Sequence, residues 1–398
     1  MIQTVRQVAA LLSLLLFTLA VSAQQPPQPG QSNQSPQVLI PAPPQINAGS
    51  YILMDATSGA IIMEHNSRER LPPASLTKMM TAYIVERELA ENRIAMTDKV
   101  PISVNAWKTG GSRTFVREGT QVSVEDLLKG VIVQSGNDAS VALAEFIAGS
   151  EGAFADIMNQ QAKLLGMNDT HFATATGLPT GEDQYSSAYD LAILARAIIR
   201  DYPENYKLYS LRQFTFNDIR QPNRNRLLWR DPSVDGLKTG HTEEAGFCLV
   251  ASAMRDGTRM IGVVMNTSSF DAREQEVQKM LNFGFRYYET VELFAADRSL
   301  METQVWGGEV EKVALGVPEA VTVTIPQGAR DSLESVVDVD SVIKAPVEAG
   351  QELGRIKVSL DGKLIVDQPI LALDSVSEGG FLKRIWDSIK LFFVQLFS

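Results

Sequence analysis

Lys238-Thr239-Gly240-His241-Thr242 stands just ahead of two runs rich in β-forming residues, Phe247 to Met254 and Met260 to Met265, which Asp256-Gly257 joins as a hairpin turn. That pattern places Lys238 on a sheet. A second hairpin pattern lies far upstream, Tyr51 to Asp55 and Ala60 to His65, with Ser58-Gly59 between them. Helical patterns fill the interval, at Met79 to Leu89, Val124 to Val133 and Val141 to Ile147, and a further helix from Ala272 to about Tyr287 closes the region. An antiparallel sheet drawn from both ends of a segment, with helices inserted between, is an α+β arrangement. The sequence assigns it to residues 48–295.

Two more short motifs share this region with Lys238: Ser75-Leu76-Thr77-Lys78 and Ser135-Gly136-Asn137. A serine hydroxyl is a weak nucleophile at neutral pH and needs a base beside it. Residues i and i+3 share a helix face, so Ser75 and Lys78 meet if the segment is helical. The approach Leu71-Pro72-Pro73-Ala74 predicts an extended entry, with Ser75 at a helix N-terminus where the dipole favours a developing oxyanion. Lys78 can act as a base only if its pKa falls, through burial and a second cation, for which Lys238 is the candidate. Ser135 is placed to relay a proton to a leaving amine and Asn137 to hold a substrate amide. Thr239 and Gly240 offer a hydroxyl and strand-edge backbone to a peptide lying as an added strand.

Each motif recurs elsewhere in the chain, and context separates the copies. Ser341-Val342-Ile343-Lys344 lies in a β-like segment, where i and i+3 point to opposite faces. Ser103-Val104-Asn105 and Lys108-Thr109-Gly110 fall a few residues apart in a turn-rich run that reads as loop.

With these motifs in order, and with Asn168-Asp169-Thr170-His171-Phe172, Thr176-Gly177-Leu178, Tyr185-Ser186-Ser187-Ala188 and Lys238-Thr239-Gly240-His241-Thr242, the chain resembles the low-molecular-mass penicillin-binding proteins of the D-alanyl-D-alanine carboxypeptidase type from about Ser50 to its end. The resemblance implies the β-lactamase and penicillin-recognising fold. It also implies acylation of Ser75 by the D-Ala-D-Ala end of a peptidoglycan stem peptide, release of D-alanine, and hydrolysis of the acyl-enzyme, with β-lactams as mimics. Lys78 then matches the proton acceptor, Ser135 and Asn137 the second motif, and Lys238, Thr239, Gly240 and His241 the third. Arg224 and Arg273 match family arginines, and either suits the substrate's free carboxylate. The stretch from Trp107 to Val116 looks shorter than in enterobacterial relatives, and Ser140 stands where some members carry a cysteine. A β-lactamase shares the motifs, but Gly181-Glu182-Asp183-Gln184-Tyr185 does not match the extra glutamate pattern of the class A enzymes. A non-enzymatic envelope scaffold is the remaining alternative.

The ends bear on location. Residues 1–23 carry one early arginine, an apolar run and small residues at Val21 and Ala23, the pattern of a secretory signal peptide. Residues 24–47, rich in Pro, Gln, Ser and Asn, read as a tether. Residues 296–376 show short alternating runs, among them Ala320 to Ile325, Arg355 to Leu360 and Lys363 to Val366 around Asp361-Gly362, and read as a small β domain. Within 377–398, Phe381 to Phe397 forms an amphipathic helical pattern with large aromatics on one half and a net basic polar side, which only Leu391 and Val394 break. Interrupted by charges, it suits lying flat on an anionic membrane at the periplasmic face of the bacterial inner membrane, not spanning it. A helix packing into the β domain is the alternative.

Composition closes other routes. Cys248 is the only cysteine, so no intramolecular disulfide forms, and its apolar neighbours predict a buried small hydrophobe. His65, His171 and His241 lie far apart with no zinc-binding helix pair, so neither a metal nor another cofactor is expected. A formal charge of −11 offers no basic stripe for nucleic acid. Oligomeric state, a homodimer included, is left open.

Overall fold

The computed structural model describes residues 40–397; the signal-peptide pattern and most of the tether fall outside them. The central sheet has five antiparallel strands, in the spatial order Ile61–His65, Ser50–Asp55, Thr258–Thr267, Gly246–Arg255 and Val234–Thr242. The upstream hairpin therefore joins the downstream strands through the pairing of Ser50–Asp55 with Thr258–Thr267, as the α+β pattern requires. Strand periodicity sorts the side chains. Ile52, Met54, Val250 and Val263 join the core beneath the inserted helices, while Leu53, Leu249, Ala251 and Val264 face the opposite way. There they meet Val277, Met280 and Leu281 of the helix Phe270–Tyr287. Both faces of the sheet are covered, yet Val234–Thr242 keeps one edge unpaired with any other strand among the described residues.

The entry to the helix Lys78–Ala90 differs from the expected extended run. Pro73 is in the helical region and Ala74 has a left-handed φ of 46°, so the chain turns sharply into a single 3-10 turn, Ala74–Thr77, that carries Ser75. Gly177 nests against that turn, where a Cβ would overlap the Ala74 carbonyl oxygen. The motif copy at Ser103 also differs from expectation. Ser103 caps a short helix, Val104–Lys108, its hydroxyl accepting from Ala106 N, so the run is not all loop.

Tyr288–Phe294, which the sequence division leaves at the end of 48–295, pairs with Val321–Pro326. The six-stranded sheet beside it runs Leu333–Val339, Glu352–Leu360, Lys363–Ala372, Lys312–Gly316, Met301–Trp306, Ile343–Lys344. Asp361 and Gly362 both have positive φ, as a two-residue hairpin loop demands. The final helix, Phe381–Phe397, docks through its polar side: Asp387 accepts from Gly307 N at 3.1 Å, and Leu391 is buried. Leu391, which breaks the amphipathic pattern, is thus the residue that seats the helix. Phe381, Leu382, Ile385, Trp386, Ile389, Phe392, Phe393 and Leu396 remain exposed, so the helix rests on the β domain by one side and leaves its aromatic face open. Among the described residues no helix is long and apolar enough to cross a membrane.

Candidate active site

Three separate folding decisions bring the motifs together. The 3-10 turn places Ser75 one turn ahead of its helix, and Lys78, the first residue of that helix, reaches it with Nζ 3.0 Å from Ser75 Oγ. The same ammonium donates to the Thr176 carbonyl at 2.6 Å. Ser135 closes a π-helical turn, Gly130–Gln134, in the left-handed conformation, and the helix Asn137–Ala148 starts two residues later. Gly136 allows this corner, because a Cβ there would overlap Thr114 Oγ1. Lys238 comes from the free-edged strand, and its Nζ donates to Ser135 Oγ at 2.9 Å and to the Thr239 carbonyl at 2.9 Å.

Ser75 and Ser135 open into one cleft of about 470 Å³, lined also by Thr239, Gly240, His241, Arg224 and Arg273, with Lys78 and Lys238 buried behind them. Arg224 is held by a bond from Nε to the Gln134 carbonyl at 2.9 Å. Arg273 is buried, donates to the Gly240 carbonyl at 3.2 Å, and leaves its Nε without a hydrogen-bond partner among the described residues. A peptide carboxylate is the kind of group that two such guanidinium ions can receive.

Asn137 is placed differently from the other predicted residues. Its Nδ2 donates to the Gly110 carbonyl at 2.7 Å and its N–H to the Ser112 carbonyl at 2.7 Å, so Gly110 to Ser112 lie over it. The neighbouring Asp138 carboxylate accepts from the N–H groups of Thr114, Phe115 and Val116, at 2.7, 2.8 and 3.2 Å, and pins the rest of that segment. Neither contact was legible from the sequence.

The electrostatics suit a lysine base. Burial, and next to it the Arg224 guanidinium, bring Lys78 down to about 7. Arg224 thus adds to the effect of Lys238, the second cation expected from the sequence, whose ammonium is coupled to that of Lys78. Lys238 is itself held well below the ordinary lysine range by burial, then by Lys78, Arg224 and Arg273. With two amines so close, a site in which one is neutral costs less than one with both charged. Cys248 is fully buried and its thiol is raised to about 11 by burial, which leaves it inert. Among the described residues no group of three or more His, Cys, Asp or Glu side chains is arranged to hold a metal ion.

Comparison with known proteins gives the same picture from outside the geometry. A family model described as D-alanyl-D-alanine carboxypeptidase matches residues 37–269, and one described as the C-terminal domain of penicillin-binding protein 5 matches residues 288–378. The chain is 44% identical over 363 residues to the D-alanyl-D-alanine carboxypeptidase DacC of Escherichia coli K12, covering 89% of this chain and 90% of that protein. Over 362 residues it is 44% identical to DacA of Haemophilus influenzae, covering 89% and 92%. The solved structure of penicillin-binding protein 5 from Haemophilus influenzae superposes with a TM-score of 0.81 at 44% identity, covering 85% of this chain and 100% of that one. Penicillin-binding protein D2 of Listeria monocytogenes, solved in its ampicillin-bound form, matches with a TM-score of 0.56 at 30% identity, covering 60% and 98%.

Proposed function

Since the chain belongs to the D-alanyl-D-alanine carboxypeptidase family, we propose that Ser75, Lys78, Ser135 and Lys238 carry out its reaction in the cleft just described. The protein is a serine-type D-Ala-D-Ala carboxypeptidase that removes the terminal D-alanine of peptidoglycan stem peptides and binds β-lactams. The observation that supports the residue roles is the pair of contacts, Lys78 to Ser75 at 3.0 Å and Lys238 to Ser135 at 2.9 Å, at two serines that line one cavity.

Neutral Lys78 takes the Ser75 proton as Oγ attacks the carbonyl carbon of the scissile bond. The oxyanion forms beside the first turn of the helix, where backbone N–H groups have no partner within the helix. On collapse the C–N bond breaks, and the departing amine takes a proton passed from Lys78 by way of Ser135, whose hydroxyl Lys238 orients. Water then attacks the ester carbonyl at Ser75 and gives its proton to Lys78; the acyl C–Oγ bond breaks, Lys78 returns a proton to Ser75 Oγ, and the shortened peptide leaves. Thr239, Gly240 and His241 lie along the peptide, Asn137 holds its amide once the Gly110 contact yields, and Arg224 and Arg273 receive its terminal carboxylate.

The wider organisation is proposed with it: a signal peptide at 1–23, a tether at 24–47, the catalytic domain at 48–295, a β domain at 296–376, and a membrane-lying helix within 377–398. The pairing of Tyr288–Phe294 with Val321–Pro326 supports counting that strand with the β domain. The exposed aromatic face of the last helix supports an anionic membrane as its partner, at the periplasmic face of the inner membrane.

Intact mass measurement after benzylpenicillin, with the adduct mapped by digestion, tests the roles. One adduct on Ser75 is expected, and Ser75→Ala should lose both the adduct and D-alanine release. An adduct on another residue would defeat the assignment.

A further inference from the structure

Phe270 is a large apolar side chain left 46% exposed, and it lines the catalytic cleft beside Arg273 and His241. Its ring is held in place. Phe247 meets it edge-on with ring centres 4.6 Å apart, His241 lies 5.7 Å away, and the Arg273 guanidinium sits 5.0 Å from its centre. His241 and Phe247 stack on each other at 4.0 Å, being cross-strand partners in the sheet, so the wall is braced from the sheet as well as from the helix.

Phe270 and Arg273 are i and i+3 on the helix Phe270–Tyr287, hence neighbours on one face. A residue whose carboxylate rests on Arg273 has its α-carbon a few ångströms away and its side chain beside that ring. The methyl of D-alanine covers only a small part of a phenyl face. A cleft of about 470 Å³ has room for a longer chain there.

We propose that Phe270 is a specificity-determining residue for the departing amino acid, and that the enzyme releases terminal D-residues with larger apolar side chains, such as D-leucine, as well as D-alanine. This rests on the proposed role of Arg273 and Arg224 as the carboxylate holders. The chemistry is unchanged, since the same C–N bond breaks and only the departing amine differs. Each added methylene in an apolar subsite gives discrimination of about ten- to two-hundredfold when it is well packed. Against an open wall like this one the lower end applies.

The test is steady-state hydrolysis of diacetyl-L-Lys-D-Ala-D-Ala and diacetyl-L-Lys-D-Ala-D-Leu by the full chain, its Phe270→Ala variant and its Phe270→Leu variant. The wild type should hydrolyse the D-Leu peptide at least as efficiently as the D-Ala peptide. Phe270→Ala should lower kcat/KM about tenfold for D-Leu and threefold or less for D-Ala, with the change in KM, and Phe270→Leu should recover most of it. Full benzylpenicillin stoichiometry reports that each variant is folded. Equal losses on both peptides would make Phe270 a structural brace and overturn the proposal, as would a wild type that does not cleave the D-Leu peptide. A separate arm compares both peptides with their C-terminal amides. If the amides are cleaved as well as the acids, the carboxylate reading fails; if they are rejected while Phe270→Ala costs the two acids equally, only the Phe270 proposal fails.

Discussion

Lys238 Nζ donates to Ser135 Oγ at 2.9 Å, joining residues 103 positions apart across the cleft. Ser135 Oγ is thereby oriented by a cation on one side and free to hand its proton toward a leaving group on the other. Ser135→Ala should lower kcat for peptide hydrolysis by about 10²- to 10⁴-fold, the usual contribution of a positioned proton donor. The loss should depend on the leaving group. An ester ending in D-lactate releases an alkoxide that needs less help than an amine, so its hydrolysis should fall at least tenfold less. Equal losses on amide and ester would assign Ser135 to structure.

Acylation should follow the ionisation of Lys78. Its pKa falls from the ordinary lysine value of 10.5 to about 7, so the neutral form gains population as pH rises through 7. The acylation rate should therefore rise across that range and level off above it. Arg224 is the largest charged contributor to the depression. Arg224→Gln removes a positive neighbour, raises the Lys78 pKa and moves the rising limb to higher pH. Stopped-flow acylation with a chromogenic cephalosporin measures the shift; a limb that stays in place would show that Lys78 does not limit the step.

The fold was open to sequence reading because its signals are local. Strand periodicity, the turn at Asp256-Gly257 and the helical spacing of Ser75 and Lys78 each need only a few adjacent residues. What stayed hidden depends on contacts between distant segments. The left-handed Ala74 follows from Gly177 packing a hundred positions away, the depression of Lys78 by Arg224 follows from where a loop ends, and the cover over Asn137 follows from Asp138 gathering three N–H groups. Leu391 shows the same divide: an anomaly in the helical pattern becomes a contact once the β domain is beside it.

Glu86 offers a stability test away from the site. It is fully buried on the helix Lys78–Ala90 beside the Tyr209 hydroxyl, and burial, only partly offset by that hydroxyl, holds its pKa well above 4.5. The folded state thus binds a proton that the unfolded chain releases above pH 4.5. Its stabilising effect is complete below that pH and is lost as pH rises toward the folded pKa, at a slope of about 1.4 kcal/mol per pH unit. Glu86→Gln should remove that slope and leave the variant more stable than the wild type at neutral pH. Urea unfolding at a series of pH values checks it, and parallel curves would show that the carboxyl is not carrying the proton.

The final helix presents its apolar face to solvent while its polar side is occupied by the β domain. Lys383 donates to the Glu309 carbonyl at 3.1 Å, Arg384 pairs with Glu378, and Asp387 accepts from Gly307. With these basic groups partly engaged, apolar burial should dominate membrane binding and charge attraction should only assist. A fully buried Phe is worth about 1.5–3 kcal/mol, against about 1 kcal/mol for each Lys or Arg near an anionic surface. Trp386→Asp combined with Phe392→Asp should therefore abolish co-sedimentation of the full chain with phosphatidylglycerol-containing vesicles, whereas 0.5 M salt should weaken it only several-fold. Both positions point away from the β domain, so benzylpenicillin acylation should be unaffected. Vesicle binding that survives the double substitution but vanishes in salt would reverse the order of the two forces and move the contact to the basic side.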